Sequence, residues 1–362
     1  MSSIVTLLIN DIAYSGWKSV SISRSIEAIS GSFKLAVTNR TSNSLSALNI
    51  KTNDACELYI DNDIVITGYV DNVEISASAT DHVINISGRD KTKDIVDCSV
   101  INCPSEFKND TLMNIVSKIA APYNVSVKSN VGKSVVEKFA IQPGERCFEA
   151  IDRLCGSHAV LATSTPDGNI LLTRSSENYA DDDLIWFKNI ISANAKYSSS
   201  DRYNKYTVIG HRPGTDESDV SADAQIKAFA TDPTVKTNRE LIIIANKIAS
   251  VDLAQRRALW EAAVRAGRSA TVDITVRGWR QSSGALWMPN LLVDVSIPPL
   301  QVEYHTMLIG DITFNFGLDS GFITQMSLKR ADAYLPEPLP EKTTKVKVDP
   351  WASVRAATKS KL

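Results

Sequence analysis

The feature that most restricts this chain is a two-residue alternation of apolar and polar side chains, repeated in short blocks. Residues 31–38 place Phe33, Leu35 and Val37 on one face and polar or small residues on the other, the signature of a strand with one buried side. Residues 56–60 alternate likewise and stop at Asp61-Asn62-Asp63. Residues 64–70 then return, which predicts a hairpin. Further strands are expected at 73–77 and 83–87, about the polar turn at Thr80-Asp81. Residues 1–95 therefore read as a small barrel or sandwich of short strands.

Residues 96–195 change character. Asp110 is placed to cap a helix whose stripe is Leu112, Ile115, Val116 and Ile119, with Pro122 as its stop. A second helix is expected over 146–155, turning Phe148, Ile151, Leu154 and Cys155 inward and ending at Gly156. Residues 159–163 and 169–172 face each other across Pro166-Asp167-Gly168, a hairpin turn. This stretch predicts a compact α+β module.

From 196 to 335 strands return, at 203–209, 241–245, 269–276, 291–297, 307–316 and 322–328. A helix over 250–267, opened by Ser250, carries Leu253, Trp260 and Val264 on one side. Residues 210–232 show no period and read as an exposed polar loop. Residues 336–362 form a Pro-rich linker and a basic tail. From 342 onward six Lys or Arg face the single acid Asp349, a charge of about +5. Two readings stay open for it: a frayed terminus, or an arm that docks Trp351 and Val354 in a partner's pocket.

Composition removes several classes of function. Lys and Arg total 39 against 41 Asp and Glu, a net charge of −2, so no global basic field is available to hold nucleic acid or an anionic membrane. The longest apolar runs, such as 241–245, fall far short of the about 20 residues a membrane helix needs. Residues 1–6 carry no positive n-region or cleavage site, and no signal peptide is expected. The five cysteines contain no CxxC pair, which points to reduced, buried thiols rather than zinc or disulfides.

Signals for chemistry are absent. His82, His158, His211 and His305 are scattered without HExxH or HxH pairing, and no GxSxG, Walker or dinucleotide glycine motif occurs. Ser157 beside His158 is read as accidental proximity. Asp181-Asp182-Asp183 lacks calcium-loop spacing and reads as a solvated loop. No cofactor, metal or catalytic residue is expected.

Two further patterns carry more. Residues 67–73 echo residues 309–314, each with an apolar strand entering a glycine and an alternating strand leaving it. Each is followed by a polar turn and a last strand, at 83–89 and 322–330. The echo suggests a duplicated β unit. There is also an ordered set of segments: Gly16-Trp17-Lys18-Ser19-Val20, Arg24-Ser25-Ile26-Glu27, Ile66-Thr67-Gly68-Tyr69-Val70-Asp71, and Ser87-Gly88-Arg89-Asp90-Lys91-Thr92-Lys93-Asp94. It continues with Arg257-Ala258-Leu259-Trp260-Glu261, Val276-Arg277-Gly278-Trp279-Arg280-Gln281 and Leu286-Trp287-Met288-Pro289-Asn290. Together, from about residue 5 to about residue 338, this set resembles the baseplate hub proteins of Mu-like contractile-tailed bacteriophages.

The resemblance implies a non-enzymatic virion protein of the tail baseplate. Its expected fold is a β-rich α+β multidomain chain, with two tube-like β-barrel domains (1–95 and 196–335) flanking a smaller α+β module (96–195). It implies a homotrimer with a pseudo-sixfold ring that adapts the sixfold tail tube to the threefold central spike, beside other baseplate proteins. DNA passes its lumen without sequence-specific binding, and no membrane insertion is implied. Arg89, Asp90, Lys91 and Asp94 are expected to form charge pairs where the first barrel meets the middle module. At least one of Trp279 and Trp287, which flank Ser282-Ser283-Gly284, is expected at a subunit interface. The competing reading is a cell-wall-degrading or carbohydrate-binding tail component.

Overall fold

A computed structural model describes residues 3–38, 50–78, 82–210, 226–245, 250–335 and 337. The chain is β-rich α+β. Alternation sets its main sheet: Phe33 and Leu35 are buried in Ser32–Thr38 while Lys34 stays exposed, and Val272, Ile274 and Val276 are buried in Ala270–Arg277. Each such side chain contributes about 1.5–3 kcal/mol on leaving water.

These strands belong to one sheet of thirteen strands among the described residues, built from two units of the same plan. In the N-terminal unit the spatial order is Ser19–Ser25, Ser32–Thr38, His82–Asp90, Asp63–Ala77 and Ala55–Ile60. In the C-terminal unit it is Ile190–Tyr197, Ala270–Arg277, Gly321–Lys329, Val302–Gly317 and Leu292–Ile297. Val5–Ile9 and Ile12–Tyr14 extend the first unit, and Leu184–Ile185 extends the second.

The likeness holds residue by residue. Ser32 opposes Arg89 and Thr38 opposes Val83 in one unit; Thr271 opposes Lys329 and Arg277 opposes Ile323 in the other. Each long strand skips one residue against its return strand, Asp71 between Val70 and Asn72, and Gly310 between Ile309 and Asp311. A second irregularity follows Leu58 and Val295, again at matching places. The shared bulges make Asp71 the counterpart of Gly310, so the glycine echo in the sequence lies three residues out of register.

Among the described residues neither of the two expected barrels closes within the chain. No described ladder joins the two ends of the sheet, Ile190–Tyr197 and Ile12–Tyr14. Instead the units are continuous: Ser19–Ser25 pairs antiparallel with residues 311–317. One hydrophobic core, from Leu7 and Phe33 to Trp279 and Phe314, runs beneath both. The strands expected at 64–70 and 73–77 are one bent strand, Asp63–Ala77, because the bulge at Asp71 turns the chain without ending the ladder.

The α+β module has its own core around α1 (Lys93–Asp97), α2 (Leu112–Ala120) and α3 (Cys147–Gly156). The cap of α2 is Thr111, which accepts from the Asn114 N–H at 3.2 Å; Asp110 instead binds the Asn114 and Lys118 side chains. The expected hairpin is Leu161–Ser164 with Ile170–Thr173.

A third core sits under α4 (Val251–Arg268), whose cap Ser250 accepts from Leu253 N–H. It faces a three-stranded sheet with Lys205–Gly210 between Ile226–Thr231 and Glu240–Ala245. The strand Ile226–Thr231 corrects the polar loop expected over 210–232. Its buried face is Ile226, Ala228 and Ala230, and alanine gives an alternation too little apolar contrast to be read. Gly267 is required where α4 meets residues 331–334, since a Cβ there would lie 2.4 Å from the Ala333 nitrogen.

Candidate functional site

The face of the main sheet opposite the core is polar from one unit to the other. Its central row runs Asn72, Ser87, Lys34 and Ser21 in the first unit, and Asp311, Ser327, Asp273 and Asn194 in the second. Ser25 joins the rows opposite Asp311. The depressions on this face are lined by Ser192, Asn194, Asp273, Thr313 and Gln325, and by Ser19, Lys34, Asn85 and Asn315. Lys34 and Asp273 are counterparts, so the two units carry opposite charge at the same point. Such a surface offers hydrogen bonds without a single-signed field to hold a polyanion.

The sheet is fixed to the α+β module by charge. Arg89 donates to Asp71 at 2.7 Å and, through two nitrogens, to Asp97 at 3.1 and 2.7 Å; Lys93 reaches the other Asp71 oxygen at 2.9 Å. The residue bulged out of the long strand is thus the one that clamps α1. Burial acts to raise the Asp71 carboxyl, but hydrogen bonds from Lys93 and Arg89 outweigh it and hold it below the usual carboxylate range. The hydrogen bond from Arg89 lowers Asp97 in the same way.

Asp90 does something different from the charge pairing expected of it. It is buried and accepts from Gly31 N–H at 2.7 Å, Ser30 Oγ at 2.9 Å, Thr92 N–H at 3.1 Å and the Thr92 hydroxyl. A buried carboxylate persists only with its lone pairs filled in this way. Beside it Arg24 is buried too, donating to the Ser164 carbonyl at 2.7 Å. Burial lowers the Arg24 pKa, and the negative charges of Asp90 and Asp167 oppose the shift. Arg24 was not singled out from sequence, although it stands where Val20 and Ile22 place the core, a cation on an apolar parity.

Trp279 and Trp287, expected to include a subunit-interface residue, sit inside the chain. Each is 2% exposed and lies in the main core of its own chain. The Trp279 indole N–H is shared between the carbonyls of Asn315 and Ile323, both at 3.0 Å, and its ring meets Phe322 edge-on at 4.8 Å. A side chain enclosed this way leaves a partner almost nothing to touch. The acidic run is also not simply solvated: Asp182 accepts from Ser282 N–H at 2.6 Å and Asp181 from Ser283 Oγ at 2.5 Å, bracing the turn between the tryptophans. Trp351 and His211 lie outside the described residues.

No group of three or more His, Cys, Asp or Glu is placed to hold a metal ion among the described residues. His158 Nδ1 lies 2.9 Å from Ser134 Oγ, while the neighbouring Ser157 donates to the Leu154 carbonyl.

The described residues thus present an extended polar sheet face, a charged joint and two side modules. Comparison with known proteins gives the family. The model for the Mu phage baseplate assembly protein GpP-like N-terminal domain matches residues 4–90, and that for the second domain of baseplate hub protein gp44-like proteins matches 92–174. The model for the GpP fourth domain matches 250–337. The chain is 32% identical over 343 residues to baseplate hub protein gp44 of Escherichia phage Mu, covering 92% of this chain and 90% of that protein. The prophage MuSo2 43 kDa tail protein of Shewanella oneidensis superposes with a TM-score of 0.82 at 33% identity, over 92% of this chain and all of that one. An Escherichia coli type VI secretion component, described as structurally similar to T4 tail proteins gp27 and gp5, shares the fold (TM-score 0.57, 10% identity, 92% and 79% coverage). The chain belongs to the Mu-like phage baseplate hub protein gp44 family. It is a structural component of the phage tail baseplate, not an enzyme.

Proposed function

We propose that three copies of this chain close into a ring whose inner wall is the polar sheet face. Each copy supplies two equivalent units, so threefold arrangement of chains yields a sixfold wall. One rim continues the tail tube, the other seats the trimeric central spike, and DNA passes through the lumen. The observation that carries the reading is the shared strand order, register and bulge positions of the two units. Barrel closure, on this reading, belongs to the ring rather than to one chain. The wall suits passage: serines, asparagines and threonines hydrate readily, and Lys34 and Asp273 alternate in sign around the six positions. The family's established place in the baseplate supports the same assignment over a cell-wall-degrading or sugar-binding one.

The test is the solution mass of the purified protein, alone and with the spike protein of its own virion. A trimer in either state, inert on purified peptidoglycan, is the expected result. A monomer in both states contradicts the ring, and peptidoglycan cleavage favours the cell-wall reading.

A further inference from the structure

Each unit contains one long strand whose first half takes its hairpin partner and whose second half is left for another strand. In the C-terminal unit that second half, residues 311–317, is covered by Ser19–Ser25, with Thr313 opposite Ser23, Phe314 opposite Ile22 and Asn315 opposite Ser21. In the N-terminal unit the corresponding residues 72–77 pair with the return strand on one edge and with no described strand on the other. The counterpart of Ser19–Ser25 is Ile190–Tyr197, which lies at the end of the sheet; among the described residues it pairs with Ala270–Arg277, and beyond that ladder Ile190 alone bridges to Trp186. One chain therefore holds one closed seam and the two separated halves of a second.

We infer that residues 72–77 of one copy pair antiparallel with Ile190–Tyr197 of the next copy, in the register of the closed seam. This inference rests on the ring proposed above and names the contact that builds it. Carrying the register across through the matched bulges and strand pairs sets Val73 opposite Tyr197, Glu74 opposite Lys196, Ile75 opposite Ala195 and Ser76 opposite Asn194.

Two observations independent of the strand order support the assignment. The first is burial. Phe314 is 1% exposed under the closed seam, whereas its counterpart Ile75 is 65% exposed. A strand laid on residues 72–77 would cover Ile75 as Ser19–Ser25 covers Phe314. The second is charge. Across the closed seam the Ser23 and Thr313 hydroxyls meet at 3.0 Å. At the open seam the same two positions are Lys196 and Glu74, opposite charges on facing strand positions, which attract. The contact is head-to-tail, since each copy offers a different edge on its two sides. Such contacts close into rings when the rotation permits, and they protect edges that would otherwise invite indiscriminate pairing.

The experiment is cysteine cross-linking in the full-length protein, alone and with its spike protein. Ile75→Cys falls on an exposed position, and Ala195→Cys replaces a small, half-buried side chain at the margin of the main core with one of similar size. After mild oxidation the double variant is expected to run as covalently linked dimers and trimers on a non-reducing gel. The unsubstituted chain, and an off-register pair Ile75→Cys with Ser192→Cys, are expected to stay at monomer mass. A second arm uses charge: Glu74→Lys is expected to weaken self-association at least several-fold, and adding Lys196→Glu to restore it. A trimer by light scattering that neither cross-links at 75/195 nor responds to the charge swap overturns the seam while leaving the ring. A monomer in every condition overturns both.

Discussion

The Asp71 carboxylate sits in the one residue that the long N-terminal strand skips against its neighbour, and it accepts at 2.7 Å from Arg89 at the end of that neighbour. The bulge and the ion pair are one device: the extra residue turns a carboxylate toward α1, where Lys93 and Arg89 also converge. Arg89→Met is expected to lower unfolding free energy by about 1–2 kcal/mol, because it leaves a partly buried carboxylate with one partner instead of two. Chemical denaturation of the variant and parent measures this.

The same joint has a pH signature. Asp71 and Asp97 have their folded pKa values held below the ordinary carboxylate value. Their contribution is complete above about pH 4 and is lost as pH falls through the lower folded values. The hydrogen-exchange protection factors of residues 93–97, taken relative to the intrinsic amide rate at each pH, are expected to fall below about pH 4 in the parent and to depend less on pH in Arg89→Met.

Trp279→Ala is expected to act on the fold rather than on assembly. Removing a fully enclosed indole costs about 3–5 kcal/mol, so the melting temperature of the isolated chain should fall by many degrees. A variant that melts normally but fails to assemble would reverse the placement of this residue.

Gly68 lies where the Asp63–Ala77 and His82–Asp90 strands run so close that a Cβ would sit 2.0 Å from the Arg89 carbonyl oxygen. Backbone cannot yield as a flexible side chain does, so Gly68→Ala is expected to cost about 3 kcal/mol. Gly132→Ala, where a Cβ meets nothing, is the matched control in the same denaturation assay.

Thiol chemistry divides the cysteines. Burial pushes Cys56 and Cys155 up to about 12 and Cys147 up to about 11, so at neutral pH their reactive thiolates are scarce. Burial raises Cys103 as well, so it is exposure that separates the groups: maleimide labelling of the native chain at pH 7.5 is expected to reach the half-exposed Cys98 and Cys103 before the buried three. Prompt labelling of Cys56 would show that the sheet opens.

Much of this fold was legible because strands with one buried face announce themselves. Residues 31–38 and 269–276 alternate large aliphatic and polar side chains, and the structure pairs both in the same seven-residue register with their return strands. Helix stripes such as Leu112, Ile115, Val116 and Ile119 were equally plain. What stayed hidden depends on packing across distance. Bulges set the register of the two units, and a bulge has no residue signature, which is why matching Gly68 to Gly310 placed the duplication three residues astray. A tryptophan's apolar surface suits a core and an interface alike, so Trp279 could not be assigned before its neighbours Phe314 and Phe322 were known. Asp90 is buried beside the joint with Ser30, Gly31 and Thr92 as its donors, partners that its place in the sequence does not reveal, whereas Arg24 carries a faint signal in its parity with Val20 and Ile22.

The central claim is that two matched units per chain convert threefold into sixfold order. Electron-microscopic class averages of the purified hub, alone and on its spike, viewed down the ring axis, test it most directly. A closed wall of six similar lobes with the mass of three chains is the expected image. Single chains, or a ring whose lobes are not related by close to 60°, would contradict it.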